Sequence, residues 1–189
     1  PWYVLAEASG GANSHLEEAM ESALSSSDLV TDAVIAKSEA QRAALWKLRE
    51  SMSEAQKPEG GSIKHDVSVP IKDIPAFLKD GVAAVEKLVP GVRPVPFGHI
   101  GDGNIHFNFT VPKGGDNAAF LARWNEIQDA VHDIVNRYHG SISAEHGLGI
   151  MKVHEIERYK SAAELDVMRA LKRTLDPNNI LNPGKVVAV

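Results

Sequence analysis

The sequence predicts an α+β fold, an antiparallel sheet with helices packed on one side and further helices towards the C-terminus. Three observations predict it. Residues 104–110 alternate, with Ile105, Phe107 and Phe109 on one face of a strand and Asn104, His106, Asn108 and Thr110 on the other. The Gly101-Asp102-Gly103 turn folds residues 92–99 back against that strand as a hairpin. Apolar residues recur at helical spacing on both sides of the hairpin, so strands and helices alternate along the chain. Together these favour a ferredoxin-like arrangement.

Taken in order, residues 2–8 predict a strand, broken by Gly10-Gly11. Ser14 with Glu17 predicts a capping box opening a helix, with Leu16, Ala19, Met20, Ala23 and Leu24 as its buried stripe. Residues 32–36 predict a short strand. Ser38 with Gln41 repeats the capping pattern, and Leu45, Leu48, Met52 and Ala55 mark the inward face of a second helix, with Arg49 at its edge. Ile63, Val67 and Val69 alternate with Lys64, Asp66 and Ser68 through part of a strand whose apolar face His65 interrupts. Asp73 is placed to cap a third helix carrying Ile74, Phe77, Leu78, Val82, Val85 and Leu88, which Pro90-Gly91 ends. After the hairpin one long helix is expected through Phe120, Trp124, Ile127, Val131, Ile134 and Tyr138, with Gly140 just beyond it. His132 and His139 read as surface or helix-end residues. Residues 141–144 form a short extended piece that delivers Glu145-His146-Gly147. Ser161 with Glu164 caps the last helix, which Asp176-Pro177 stops, and the tail is loop with room for a terminal strand.

Composition limits what such a fold could do. A chain of 189 residues suits one domain with a sizeable core. The net charge of -5 argues against a general nucleic-acid binder. With no cysteine there is no disulfide, thiol nucleophile or thiolate metal site, so a metal would need His, carboxylate or water. No apolar run approaches membrane-spanning length and no signal-peptide pattern opens the chain, so a cytoplasmic protein is expected, with any membrane association arising peripherally through a partner. The opening Pro1-Trp2-Tyr3, without an initiator Met, suggests a piece of a larger protein.

The hairpin carries the chemistry. His99 at the end of its first strand and His106 near the start of its second would converge across the turn, and two imidazoles are common metal ligands. Glu145, in Ser-Ala-Glu-His-Gly, is the obvious third ligand. The two-histidine spacing taken alone fits a hairpin with two satisfied histidines equally well. No GxGxxG, GxxxxGK[ST] or GxSxG motif is present, so no dinucleotide site, P-loop or nucleophile elbow is supported.

Three segments carry a resemblance beyond this spacing: Pro-Phe-Gly-His-Ile-Gly-Asp-Gly-Asn-Ile-His-Phe-Asn (96–108), Ser-Ala-Glu-His-Gly-Leu-Gly (143–149) and Leu-Asp-Pro-Asn-Asn-Ile-Leu-Asn-Pro-Gly-Lys (175–185). With Leu-Trp-Lys-Leu-Arg-Glu (45–50) and Lys-His-Asp-Val-Ser-Val-Pro (64–70) in the same order, the chain resembles the C-terminal domain of FAD-linked oxidases in the vanillyl-alcohol-oxidase superfamily. That group includes glycolate oxidases, D-lactate dehydrogenases and D-2-hydroxyglutarate dehydrogenases. The resemblance implies a ferredoxin-like substrate domain over residues 1–189, preceded by an N-terminal FAD-binding domain. It implies that His99, His106 and Glu145 hold a divalent metal, zinc or manganese, and that His146 is the base for the substrate hydroxyl. Arg49, Lys64 and Asn108 would contact a 2-hydroxy acid, with Ser53 where the 2-hydroxyglutarate enzymes carry a threonine, and Asn182 would approach the flavin. An electron acceptor is implied, and a homodimer stays open. The implied chemistry is oxidation of a 2-hydroxy acid to a 2-keto acid, with a cation acidifying the hydroxyl and the α-hydride passing to FAD. Two other classes fit the residues. A metal-dependent hydrolase would turn over without flavin, and a ligand-binding or dimerisation module with structural histidines would bind no metal.

Overall fold

A computed structural model describes residues 2–189, which divide into two compact units, one running to Pro58 and the other Glu59–Val189. The first unit holds helices α1 (Leu16–Ser25), α2 (Glu39–Glu50) and α3 (Met52–Ala55), none with a buried residue. The strands expected over residues 2–8 and 32–36 do not form. A strand needs a partner for its backbone groups, and neither stretch is laddered. Instead the Glu7 carboxylate accepts hydrogen bonds from Arg42 (2.8 Å) and the Trp46 ring nitrogen. The capping box at Ser14 is also absent, because the Ser14 hydroxyl donates to the Gly11 carbonyl and His15 takes the cap position at φ 45°. At α2 half of the capping pattern forms: Ser38 accepts from the Gln41 N–H at 3.3 Å, while the Gln41 side chain accepts the Lys37 N–H at 2.6 Å. Leu48, expected inward, is exposed.

The second unit is built on a four-stranded antiparallel sheet: β1 (Ser62–Ile63), β2 (Asp66–Ser68), β3 (Arg93–His99) and β4 (Asn104–Thr110). β4 is central, pairing β3 along one edge and β1 then β2 along the other. An antiparallel bridge between Ser68 and Ser141 adds an edge beyond β2. The order is that of a ferredoxin-like split βαβ, with α4 (Ile74–Leu88) and α6 (Trp124–Arg137) as its two helices.

Side chains alternating along β4 put Ile105, Phe107 and Phe109 into one core with Ile63 and Val67, closed by Phe77 and Val85 of α4 and by Ile127, Val131 and Val135 of α6. The Phe77 and Phe107 rings lie 5.2 Å apart. The helix can come this close because residue 81 is glycine, where a Cβ would meet the Phe107 ring at 2.3 Å.

Four details differ from expectation. Asp73 makes no side-chain cap, and α4 begins from a 3-10 turn with Pro75 in its first turn. The long helix is two, α5 (Asn117–Leu121) and α6, because Arg123 leaves helical geometry and donates to the Leu88 carbonyl at the end of α4. An unexpected helix, α7 (Val153–Tyr159), precedes α8 (Ala162–Leu175), whose Ser161–Glu164 capping box forms as predicted. The tail forms no terminal strand.

His132 is fully buried on α6 and not at the surface, since α7 supplies Glu155 as partner for its Nδ1. Its ring meets that of His65 edge-on at 5.8 Å, and His65 Nδ1 donates to the Phe107 carbonyl at 2.8 Å. Burial holds His65 down at about 3 and, with help from nearby Lys152, His132 at about 4, against 6.5 for a free ring. In the unfolded chain both rings take a proton near 6.5, so acid favours unfolding as pH falls from there towards 4, by about 1.4 kcal/mol per pH unit for each ring. Glu155, pushed up by burial, offsets part of this. Urea unfolding across pH 4–7 should therefore show a decline that His132→Gln makes shallower; an equally steep profile in the variant would remove His132 from the account.

Candidate functional site

The sheet face opposite the core is the candidate site. Residues paired across strands share a face, and β4 pairs His106 with Phe97 and Asp66, and Asn104 with His99 and Ser68. The register on either side of the gap between β1 and β2, Ile63 with Phe109 and Asp66 with His106, carries Lys64 opposite Asn108. Lys64, Asp66, Phe97, His99, Asn104, His106 and Asn108 thus line one surface. His99 therefore faces Asn104, and Phe97 takes the place beside His106 with its ring at 5.0 Å. The cause is the connection of residues 100–103, a 3-10 turn closed by Gly103 at φ 78°, where a Cβ would strike the Val69 carbonyl at 2.2 Å.

The bridge at Ser141 brings the following loop past Asp66. Ser68 and Ser141 exchange two backbone hydrogen bonds, 3.0 and 2.8 Å. Beyond them, Oδ2 of Asp66 accepts the N–H groups of Ala144 (3.2 Å), Glu145 (2.9 Å) and His146 (2.8 Å). This delivers Glu145 to β4. One of its carboxylate oxygens lies 3.5 Å from His106 Nε2, and the other accepts from the Asn104 amide. His146 Nδ1 lies 3.7 Å from Asp66 Oδ2, and its ring stacks near that of His106 with centroids 5.9 Å apart. Burial would raise the Asp66 carboxyl, but the His146 and Glu145 N–H groups and attraction to the His146 and His106 rings outweigh it and hold the group below its ordinary value.

These residues suit a cation. Asp66, His106 and Glu145 offer ligand atoms all within 4.8 Å of one another, a mixed imidazole and carboxylate set of the kind that zinc and manganese accept. Oδ1 of Asp66 and Oδ1 of Asn104 are buried without a hydrogen-bond partner. His106 and Glu145, expected as ligands, come together. The group adds Asp66, while His99 sits one register position away.

Of the remaining expected residues, His146 is exposed beside the cluster, and Lys64 is exposed on the same face. Asn108 is buried, its carbonyl oxygen accepting the His65 N–H at 3.3 Å. Arg49 near the end of α2 and Ser53 in α3 belong to the unit that ends at Pro58. Asn182 adopts φ 49° and accepts from Lys185 at 3.3 Å, in a stretch joined to the site loop by the Val186 N–H on the Gly149 carbonyl at 2.8 Å. Sequence reasoning missed Asp66 and Asn104 as site residues. The signal was the alternation that sets Asp66 beside Lys64 and Asn104 beside His106 on the polar faces.

The family model for FAD linked oxidases, C-terminal domain, matches residues 1–186. The chain belongs to this family. It is 43% identical over 159 residues to a D-2-hydroxyglutarate dehydrogenase of Stutzerimonas stutzeri, covering 84% of this chain and 34% of that protein. Its identity to the enzyme of that name from Xanthomonas citri pv. viticola is 39% over 193 residues, 98% of this chain and 40% of the relative. To the mitochondrial D-2-hydroxyglutarate dehydrogenase of Danio rerio it is 37% over 190 residues, 99% and 34%. The chain thus spans about a third of the length of these curated relatives. The cytoplasmic placement expected from composition is overturned by the relatives: those from eukaryotes are named mitochondrial, alongside bacterial ones. Composition is blind to this, because targeting is carried by segments that leave no mark on a folded domain's surface.

Titrating the protein with zinc in a calorimeter should find one site of the His106–Glu145 type. His106→Ala should weaken it by more than the roughly 10- to 100-fold that loss of a supporting partner costs. Unchanged affinity in the variant would remove His106 from the site.

Proposed function

We propose that this chain is the substrate-handling part of a flavin-dependent 2-hydroxy acid dehydrogenase, acting with a separate N-terminal FAD domain on a D-2-hydroxy acid. The observation that carries the proposal is the placement of an exposed imidazole, His146, beside the His106–Glu145 pair. The names of the relatives support the substrate class.

When bound, a divalent cation would acidify the substrate's 2-hydroxyl and FAD would accept its α-hydride. His106 and Glu145 would hold that cation, with His99 as the expected further ligand. His146 takes the hydroxyl proton: its side chain is 71% exposed, open to an incoming substrate, and its backbone is fixed by Asp66. Lys64 on this face would grip a substrate carboxylate, the role that the resemblance also implies for Arg49. Asn108 lies opposite Lys64 and would orient the hydroxy acid, Ser53 would bear on substrate choice, and Asn182 would approach the flavin. The reduced flavin requires an electron acceptor. A hydrolase is disfavoured by the relatives named above, each a dehydrogenase by name.

The test is anaerobic reduction of the flavin in the intact protein by D-2-hydroxyglutarate. His146→Asn should keep flavin and metal but slow reduction by roughly a hundredfold or more, the scale expected for a lost general base. Reduction at the wild-type rate in a metal-replete variant would sink the assignment. Product formed without flavin would favour the hydrolase.

A further inference from the structure

We infer that Asp66 is the positioning residue of this centre, fixing the 144–146 loop through Oδ2 and holding the His106 proton on Nδ1 through Oδ1, so that Nε2 is the nitrogen offered to the metal. The inference rests on the reading of His106 and Glu145 as metal ligands.

The two carboxylate oxygens of Asp66 have separate surroundings. Oδ2 takes three successive backbone N–H groups, at 3.2, 2.9 and 2.8 Å. Oδ1 is buried, has no hydrogen-bond partner, and lies 3.7 Å from His106 Nδ1, a few tenths of an ångström beyond hydrogen-bond reach. On the far edge of the same ring, Nε2 lies 3.5 Å from the Glu145 carboxylate. Either edge could hold an ion on distance alone, since two metal bonds of about 2.1 Å at a tetrahedral angle separate their ligand atoms by about 3.4 Å.

Exposure decides between them. A catalytic metal keeps one position open for substrate, and the Asp66 side chain is only 6% exposed whereas that of Glu145 is 45% exposed. The open edge is therefore Nε2 with Glu145. The closed edge then pairs Nδ1–H with Oδ1, which fixes the tautomer, gives the buried oxygen a donor and strengthens Nε2 as a ligand. One carboxylate thus sets the orientation of the histidine ligand and, through the loop, the position of both Glu145 and His146.

The decisive measurement is the ring tautomer of His106 in 15N-histidine-labelled protein, read from long-range proton–nitrogen correlations. The neutral ring should carry its proton on Nδ1, and added zinc should shift Nε2. A proton on Nε2, with zinc on Nδ1, would overturn the inference and make Asp66 a ligand. Asp66→Asn adds a second readout. Its amide can donate to Nδ1 and so should move the proton to Nε2, weakening zinc binding about 10- to 100-fold. Unchanged zinc affinity in the folded variant would also overturn it. If Asp66→Asn does not fold, the wild-type tautomer decides alone. A protein that oxidises no hydroxy acid yet has an Nδ1-protonated His106 and Asp66-dependent zinc binding would refute the proposed reaction and uphold this inference.

Discussion

The period-two alternation of β4 is the constraint on which both core and site depend. Burial of Phe107 and Phe109, worth about 1.5–3 kcal/mol each, fixes which face of the strand turns inward. Asn104, His106 and Asn108 then have only the other face. A one-residue slip would drive His106 into the helices and expose both phenylalanines, so core energy specifies the position of His106. Because β4 is flanked on both edges, β2 and β3 inherit the same two faces, and Asp66 and His99 join the polar one without any requirement of their own.

What alternation cannot do is bring in residues 144–146, which lie beyond α6. The joint is electrostatic. A buried carboxylate without partners would be costly, and Asp66 avoids that cost by collecting three N–H donors from this loop. The same bonds that stabilise the charge therefore place Glu145 and His146. The Ser68–Ser141 bridge starts the loop on course, and the Val186–Gly149 contact holds its far side.

The parts that were legible in the sequence are those set by near neighbours: the faces of β4, the stripe of α4 and the Ser161 cap each follow from residues within a few positions. The strand at residues 2–8 was not, since strand formation depends on a partner that local pattern does not reveal. The break at Arg123 depends on the Leu88 carbonyl, 35 residues earlier, and the burial of His132 on Glu155, 23 residues later. The position of His99 turned on connection length. Four residues between β3 and β4 pair His99 with Asn104, two residues short of His106, a register that the Gly-Asp-Gly motif alone does not reveal. Asp66 was visible as a polar alternation but not as a site residue, because its partners are 78 to 80 residues away.

Rigidity and access are divided within the site in a way that suits proton transfer. His106 sits on the central strand with its side chain 17% exposed, while Glu145 and His146 sit on a loop at 45% and 71%. Groups on strands are held more closely than groups on loops, so the element that must keep its geometry is the one built into the sheet. A base must meet substrate and release its proton to water, which an enclosed imidazole such as His65 or His132 cannot do while burial keeps it neutral. The chain thus uses its histidines in two ways, with neutrality enforced by the core on one face of β4 and solvent contact provided on the other, and the sheet between them keeps the two environments separate.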